Sequence, residues 1–366
     1  MVPREVDIWY LARWTYGTSR GSASSGDSPC VFPAKSLLIQ GDSPPDARFH
    51  ANYGAFEIWY NTHMHEKGIN SRIDIITRLS VVIVTWNGDD LLNKCLSSLC
   101  KVYGDVIEIV VVDNADSKST RSLVSSFSGV IYVASPGNPG FAGGNNIGVR
   151  QTTRPYILLL NNDTVIHGDS FSTLVEFLET HDKVGIVQGT MNVPSLGDGL
   201  DDCGVLMTPF GIQRHLHRGE PTATAKLVPR KVFAAKGAML MFKRKVLDDL
   251  GFLFYDHFWS YYEETDFCHR ARNVGWETWF VPTLPIDHIC GATSSRFDGN
   301  LVWRRYFRNI IYSFYRNYRF FGRVFTLPCF VFAAFVRSPS ALCGAISDLI
   351  QGRSWSSHET ISLVRP

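Results

Sequence analysis

Runs of Val, Ile and Leu that stop abruptly at acidic or amide side chains set the texture of the middle of this chain. LSVVIVTW (79–86), IEIVVVDN (107–114), VIYVAS (130–135) and YILLLNND (156–163) are the main examples. Runs bounded this way predict strands buried on both faces of a parallel sheet. Between them the period changes. LLNKCLSSLC (91–100) carries apolar positions at helical spacing, and further helices are predicted at 120–127, about 145–151 and 171–180. Strand–helix alternation with short loops implies right-handed crossovers and a mostly parallel sheet. Beyond residue 184 the pattern turns irregular. Short β segments are expected at 187–193, 205–208 and 236–242, and helices at 246–250 and 265–274.

The two flanks differ from this middle. Residues 1–76 include SRGSASSGDSP (19–29) and GDSPPDAR (41–48), which lack any period and read as a linker-like or disordered arm. His63-Met64-His65 within it reads as solvated, not as a metal site. The tail, 301–366, begins with the basic, aromatic LVWRRYFRNIIYSFYRNYRFFGR and continues with thirteen apolar residues, VFTLPCFVFAAFV (324–336). At about 1.5 Å per residue these cover roughly 20 Å, short of a hydrocarbon core of about 30 Å. The composition predicts helices lying in a membrane interface, a peripheral contact. The competing expectation packs the aromatic stripe against the preceding domain.

Composition narrows the class. The chain has 366 residues, 45% hydrophobic and 19% charged, enough for one large α/β domain with appendages. A net charge of +2 gives no reason to expect nucleic acid as partner. Eight scattered cysteines without a C-x-x-C pair fit reduced thiols in a cytoplasmic enzyme. MVPREVDIWYLARW at the start lacks the apolar core of a secretory signal.

The candidate chemistry lies at the ends of the strands. Open α/β sheets bind ligands at the carboxyl edge, so Asp113, Asn161 and Asp163 are expected to line one crevice. Carboxylates gathered there suit a divalent cation and the diphosphate of a sugar nucleotide. Asp113 has a second reading as a helix cap. The glycine-rich segment 138–146 does not spell G-x-G-x-x-G and follows the third strand, so it makes a poor dinucleotide loop. Its glycines permit close backbone approach to a ligand, and a helix start at Asn145 offers N–H groups to anionic oxygen. A plain tight turn with an Asn cap is the alternative. In EETD (263–266), acidic residues favour a helix start, and Asp266 and Arg270 are spaced to pair. Trp259 and Tyr262 beside them offer an apolar wall for a sugar ring.

Eight strings occur in order over 79–296: VVIVTWNG, CLSSL, VVVDNADSKST, NPGFAGGNNIGV, LLLNNDT, KGAMLMFKRKV, EETDFCHRARNVGW and the isolated His288. Together they resemble the catalytic domain of glycosyltransferase family 2, and most of all its rhamnosyltransferase-like members. The resemblance implies the GT-A fold: an α/β domain at 77–300 with a mostly parallel central sheet flanked by helices, followed here by a C-terminal helical extension. It implies inverting transfer of rhamnose or a similar hexose from a dTDP- or UDP-sugar. The acceptor implied is a saccharide or a polyprenyl-diphosphate-linked one, in cell-surface polysaccharide synthesis at the cytoplasmic face of the membrane.

The same resemblance assigns residues. Thr85, Asn87 and Asp113 fall where the family holds the donor base and ribose, and Gly140 and Asn145 where it flanks the sugar and diphosphate. Asn161-Asn162-Asp163 takes the place of the family's D-x-D motif. Asp163 is then the ligand of Mg²⁺ or Mn²⁺, His288 completes the metal shell, and Asn161 and Asn162 contact the donor. Glu264 stands at the position of the general base, with Glu263 as its rival. Asp266, Arg270 and Trp259 organise the site.

Overall fold

The computed structural model describes residues 72–135, 137–197, 199–289 and 299–352. Residues 1–71, with His63 and His65, and residues 353–366 lie outside it. An eight-stranded sheet forms the centre, in the order β11-β13-β6-β12-β4-β1-β2-β3. Its core strands are β1 (Leu79–Thr85), β2 (Glu108–Asp113), β3 (Val130–Ala134) and β4 (Tyr156–Asn161), all parallel. They follow the predicted apolar runs because both faces are covered. Val81 and Ile83 pack towards helices α2 (Asp89–Tyr103) and α5 (Phe171–Thr180), while Val82 and Leu159 pack towards the opposite layer. Thr85 pairs in register with Asp113 and Val84 with Asn161, so the polar strand ends stand side by side.

The other strands of this sheet are β6 (Val184–Gln188), β11 (Arg230–Val232), β12 (Met239–Lys243) and β13 (Glu277–Phe280). Here the run-based expectation needed a refinement: β12 lies antiparallel between β4 and β6. It therefore starts at the carboxyl edge of β4, where Asn161 N donates to Ala238 O at 3.0 Å. That direction brings Lys236-Gly237-Ala238 into the crevice. A second sheet, β5-β14-β7-β8, joins β5 (Thr164–Val165), β14 (Ile286–His288), β7 (Met191–Val193) and β8 (Gly199–Leu200). Strands β9 (Val205–Met207) and β10 (Gln213–His215) form a hairpin beside it.

Three local expectations are corrected. Helix α1 (Arg72–Ile76) belongs to the domain, since Ile75 and Ile76 are buried in the main core, so a boundary at 76 cuts packed structure. Helix α3 (Lys118–Ser125) keeps its place, but α4 (Gly140–Arg150) starts at Gly140, not Asn145. The glycine segment is thus the first turn of a helix pressed onto the sheet. A Cβ at Gly148 would meet Val82 Cγ1 at 2.4 Å, and one at Gly140 (φ +76°) would meet the Trp259 carbonyl at 2.2 Å. Close packing requires glycine at both positions.

The chain then adds α6 (Arg244–Leu250) and α7 (Glu263–Asn273), and the tail folds as α8 (Gly299–Asn317), α9 (Phe320–Arg337) and α10 (Pro339–Gln351). The tail was expected to present its arginines and aromatics to a membrane. In α8 many turn inward instead: Phe307, Phe314, Arg305 and Arg308 are buried, and Arg304 pairs with Asp348 of α10. Among the described residues no helix is long and apolar enough to cross a membrane.

Candidate active site

A cavity of about 300 Å³ opens at the carboxyl edge of the sheet. One wall comes from strand ends: Thr85, Asn161, Asn162 and Asp163. Asn162 Nδ2 donates to Thr85 Oγ1 at 3.0 Å, fixing the two loops against each other. Asp163 and His288 meet at this wall, with His288 Nε2 3.3 Å from Asp163 Oδ1 and 3.3 Å from Asn161 Nδ2. β14 supplies the His because it pairs antiparallel with β5, register His288 to Thr164.

Behind the His stands a residue that the sequence reading missed. Asp201 is fully buried and lies 2.8 Å from His288 Nδ1 through Oδ2. Lys236 Nζ donates to both its oxygens, at 2.6 and 2.7 Å, and Arg218 approaches at 3.3 Å. Burial alone would raise the Asp201 carboxyl, but Lys236 and His288 outweigh it and hold it well below the carboxylate range. Asp163 behaves likewise: burial pushes up, and His288 more than offsets it. An ionised Asp201 accepts the hydrogen bond of Nδ1–H and leaves Nε2 directed at the cavity. Two signals were present for this group, the acidic pair in GLDDCGVLM and the lone Lys in FAAKGAMLMF. A charge inside an apolar stretch needs a partner.

The residues present fit a divalent cation. Asp163 Oδ1 is buried without a well-formed hydrogen bond, an orphaned anionic oxygen beside an imidazole nitrogen. A hard oxygen and an oriented imidazole make an ordinary donor set for Mn²⁺, and Mg²⁺ would keep more waters. Among the described residues no cluster of three or more His, Cys, Asp or Glu side chains is preformed for a metal.

The opposite wall carries Trp259, Tyr262, Glu263 and Glu264. The chain is held here in left-handed backbone at Trp259 (φ 60°), Tyr261 (φ 75°) and Tyr262 (φ 73°). Non-glycine residues in this region cost on the order of 1–3 kcal/mol each, so other contacts must hold the turn. Asn309 of α8 does so: its Nδ2 reaches the carbonyls of Phe258 (3.1 Å), Ser260 (3.1 Å) and Tyr261 (2.7 Å). Arg308 donates to the carbonyl of His257, and Arg305 lies 4.0 Å over the Trp259 ring. Trp259 Nε1 also donates to Asn138 O at 3.0 Å. Burial pushes both glutamate carboxyls up, and the Glu264 charge adds to the push on Glu263. Glu263 is 4% exposed with Oε2 unbonded. Glu264 is less buried, accepts from Thr265 Oγ1 at 3.1 Å, and feels Lys236 and His215 from across the cavity.

Of the remaining candidates, Gly140 alone lines the cavity among the described residues. Asp113 is fully buried, and its carboxylate accepts from Ala115 N (3.0 Å), Ser117 N (2.7 Å) and the Tyr132 hydroxyl (3.0 Å). Asn114 lines the cavity in its place. Asn87 takes left-handed backbone (φ 51°) in the loop after β1. Gly140 lines the cavity, whereas Asn145 is buried and donates to Phe141 O within α4. Asp266 and Arg270 pair at 2.7 Å below the wall, and Ser313 and Asn317 of α8 each reach Asp266 Oδ1 at 2.7 Å. They tie α7 to the tail.

Comparisons with known proteins bear on this arrangement. Residues 80–251 match the family described as Glycosyl transferase family 2. The low-salt glycan biosynthesis hexosyltransferase Agl10 of Haloferax volcanii is 27% identical over 237 residues, covering 63% of this chain and 73% of that protein. The poly-beta-1,6-N-acetyl-D-glucosamine synthase of Staphylococcus epidermidis is 22% identical over 214 residues, 57% of this chain. The chain spans about half of that synthase, 47% of its length. Among solved structures, the mannosyltransferase PcManGT from Pyrobaculum calidifontis, in complex with GDP-Man and Mn²⁺, aligns with a TM-score of 0.48. Its sequence identity is 17%, over 84% of this chain and 85% of that one.

Proposed function

We propose, from the match of residues 80–251 to Glycosyl transferase family 2, an inverting, cation-assisted transfer of a hexose from a nucleoside-diphosphate sugar. The observation that carries this reading is one cavity with two chemically opposite walls. Asp163 and His288 face it from the strand ends, and Glu264 faces it from the strained turn. Asp163 and His288 would hold the cation, which when bound would supply positive charge against the departing nucleoside diphosphate.

This chain's residues do the rest. Asn161, Asn162 and Thr85 contact the donor at the strand ends, and Trp259 gives the sugar ring an apolar face. Glu264 takes the proton of the acceptor hydroxyl as its oxygen bonds to the anomeric carbon and the bond to the diphosphate breaks. The attack comes from the side opposite the leaving group, so the configuration inverts. Glu263, buried beside Glu264, is the rival for the role of base. Asp201, gripped by Lys236, fixes the His288 ring.

The donor is a dTDP- or UDP-sugar, rhamnose or a related hexose, and the acceptor a saccharide, including one on a polyprenyl diphosphate at the cytoplasmic face of the membrane. The buried free thiols Cys95, Cys203 and Cys268 suit a reducing compartment. A panel of dTDP-, UDP- and GDP-sugars, scored for nucleoside-diphosphate release with and without Mn²⁺, tests the reading. Release from one nucleotide class, dependent on the cation, is expected. No release from any of them would contradict it.

A further inference from the structure

The geometry points to the outward face of α9 and α10 as a docking surface for an anionic lipid–water interface, rigidly joined to the base-bearing turn through α8. The inference deepens the lipid-linked acceptor reading, on which its purpose rests, but binding to lipid is measured separately from turnover.

The face is defined by what α9 turns away from the protein. Val324 (47% exposed), Phe325 (65%), Phe332 (70%), Phe335 (53%) and Val336 (48%) all project outward. Pro328 and Cys329 are exposed between them. At 3.6 residues per turn these positions fall within a sector of about 140°. The other side of α9 is the packed one, where Phe330 and Ala334 join Phe307 and Phe314 of α8. Helix α10 extends the face with Cys343, Ile346 and Ile350, three and four residues apart. Exposed aromatic rings in such a contiguous array mark an interaction surface.

Charge selects the occupant. Residues 299–351 contain seven arginines and one acid, Asp348. Asp348 is buried and bound by Arg304 through Nε at 2.7 Å and Nη2 at 2.5 Å. Exposed charge among the described tail residues is therefore positive, with Arg316, Arg319 and Arg323 grouped at the turn from α8 to α9. A second copy meeting it through the same face would set arginine against arginine. Anionic headgroups do, while the phenyl rings enter the acyl boundary. The eighteen-residue α9 is packed along one side, so it lies on a bilayer and does not span one.

The surface is joined to the chemistry. Tyr262, one residue before Glu263, sits in the same apolar cluster as Phe314 and Phe330. Asn309 and Arg308 hold the turn that ends in Glu263 and Glu264. Docking the tail thus fixes the height of the cavity above the lipid surface.

The test uses the full chain in co-sedimentation with vesicles of phosphatidylcholine, alone or mixed with phosphatidylglycerol, at low and high salt. Binding to the mixed vesicles is expected, weakened but not erased by salt, because apolar insertion is not screened. The double variant Phe325→Ser/Phe332→Ser should lose at least about tenfold in partitioning while its thermal midpoint and sugar-nucleotide hydrolysis match the wild type. Ile346→Ser/Ile350→Ser, on the other helix, gives the same readout independently of α9 folding. No sedimentation of the wild type, or undiminished sedimentation of both variants, overturns the proposal. So does a concentration-dependent dimer that either variant dissolves, which would make a second copy the occupant. Vesicle binding by a chain that hydrolyses no sugar nucleotide would support the surface and count against the proposed function alone.

Discussion

Glu263 and Glu264 are neighbours on the first turn of α7, yet they meet different surroundings. Glu264 is the less buried of the two and faces Lys236 and His215 across the cavity. Glu264→Gln should lower transfer about 10²–10⁴-fold with little change in donor affinity, because the amide keeps shape without basicity. A larger loss from Glu263→Gln, in the same steady-state assay, would move the base by one residue. Burial holds the Glu264 carboxyl above its ordinary range. The base works only when deprotonated, so transfer should fall as pH drops through that raised value, and the acidic limb should vanish in the Gln variant. Glu176 on α5 offers a check free of catalysis. Burial, with Glu179 nearby, pushes its carboxyl from 4.5 to about 7. The folded state then binds the proton more tightly, so its stability is greatest below about pH 4.5 and declines as pH rises towards 7. Glu176→Gln should therefore raise the thermal midpoint at pH 8 and barely change it at pH 4.5. The gain at pH 8 is on the order of 1–2 kcal/mol after solvent screening.

At the scale of elements, the strands were the legible part and the strained turn was not. Both-sided burial writes itself as unbroken Val, Ile and Leu, and β1, β2, β3 and β4 lie within a residue or two of their runs. Nothing in GAMLMFK announces that β12 runs antiparallel, because direction depends on where the preceding excursion returns. The start of α4 was hidden for a related reason: glycines read as loop residues until the helix is seen pressed onto Val82 and Trp259. WSYY (259–262) carries no mark of left-handed backbone either, since it is imposed from α8, some fifty residues on. Asn309→Ala removes that hold and takes one donor from each of the Phe258, Ser260 and Tyr261 carbonyls. It should cost about 1–3 kcal/mol in urea denaturation. It should also lower kcat more than it changes donor KM, because Glu264 loses its position while the strand-end wall stays intact. A normal kcat for Asn309→Ala would contradict the hold.

For the whole molecule, the sequence motifs located the cavity but not its second layer. Asp163, His288, Glu264, Trp259, Asn161 and Thr85 converge as the strings implied. Asp113 and Asn145 are absorbed into their own turns, because a buried polar side chain takes the nearest backbone partner. Asp201, Lys236 and Arg218 come from the irregular region, where no period signals what folds together. The domain boundary follows the same lesson. Removing residues 1–71 should leave soluble protein with unchanged donor affinity, whereas removing residues 1–76 also deletes Ile75 and Ile76 from the core and should lower the thermal midpoint by several degrees. The central claim, that Asp163 and His288 form the cation and diphosphate end of a donor site, is most directly tested by calorimetric titration of the donor's nucleoside diphosphate. The titration is run into the wild type and into Asp163→Ala, each in Mn²⁺ and in EDTA. Wild-type affinity should fall at least about tenfold in EDTA, and the variant should bind equally weakly in both, consistent with loss of about 1.4 kcal/mol or more. Equal wild-type affinity in Mn²⁺ and EDTA would contradict the account.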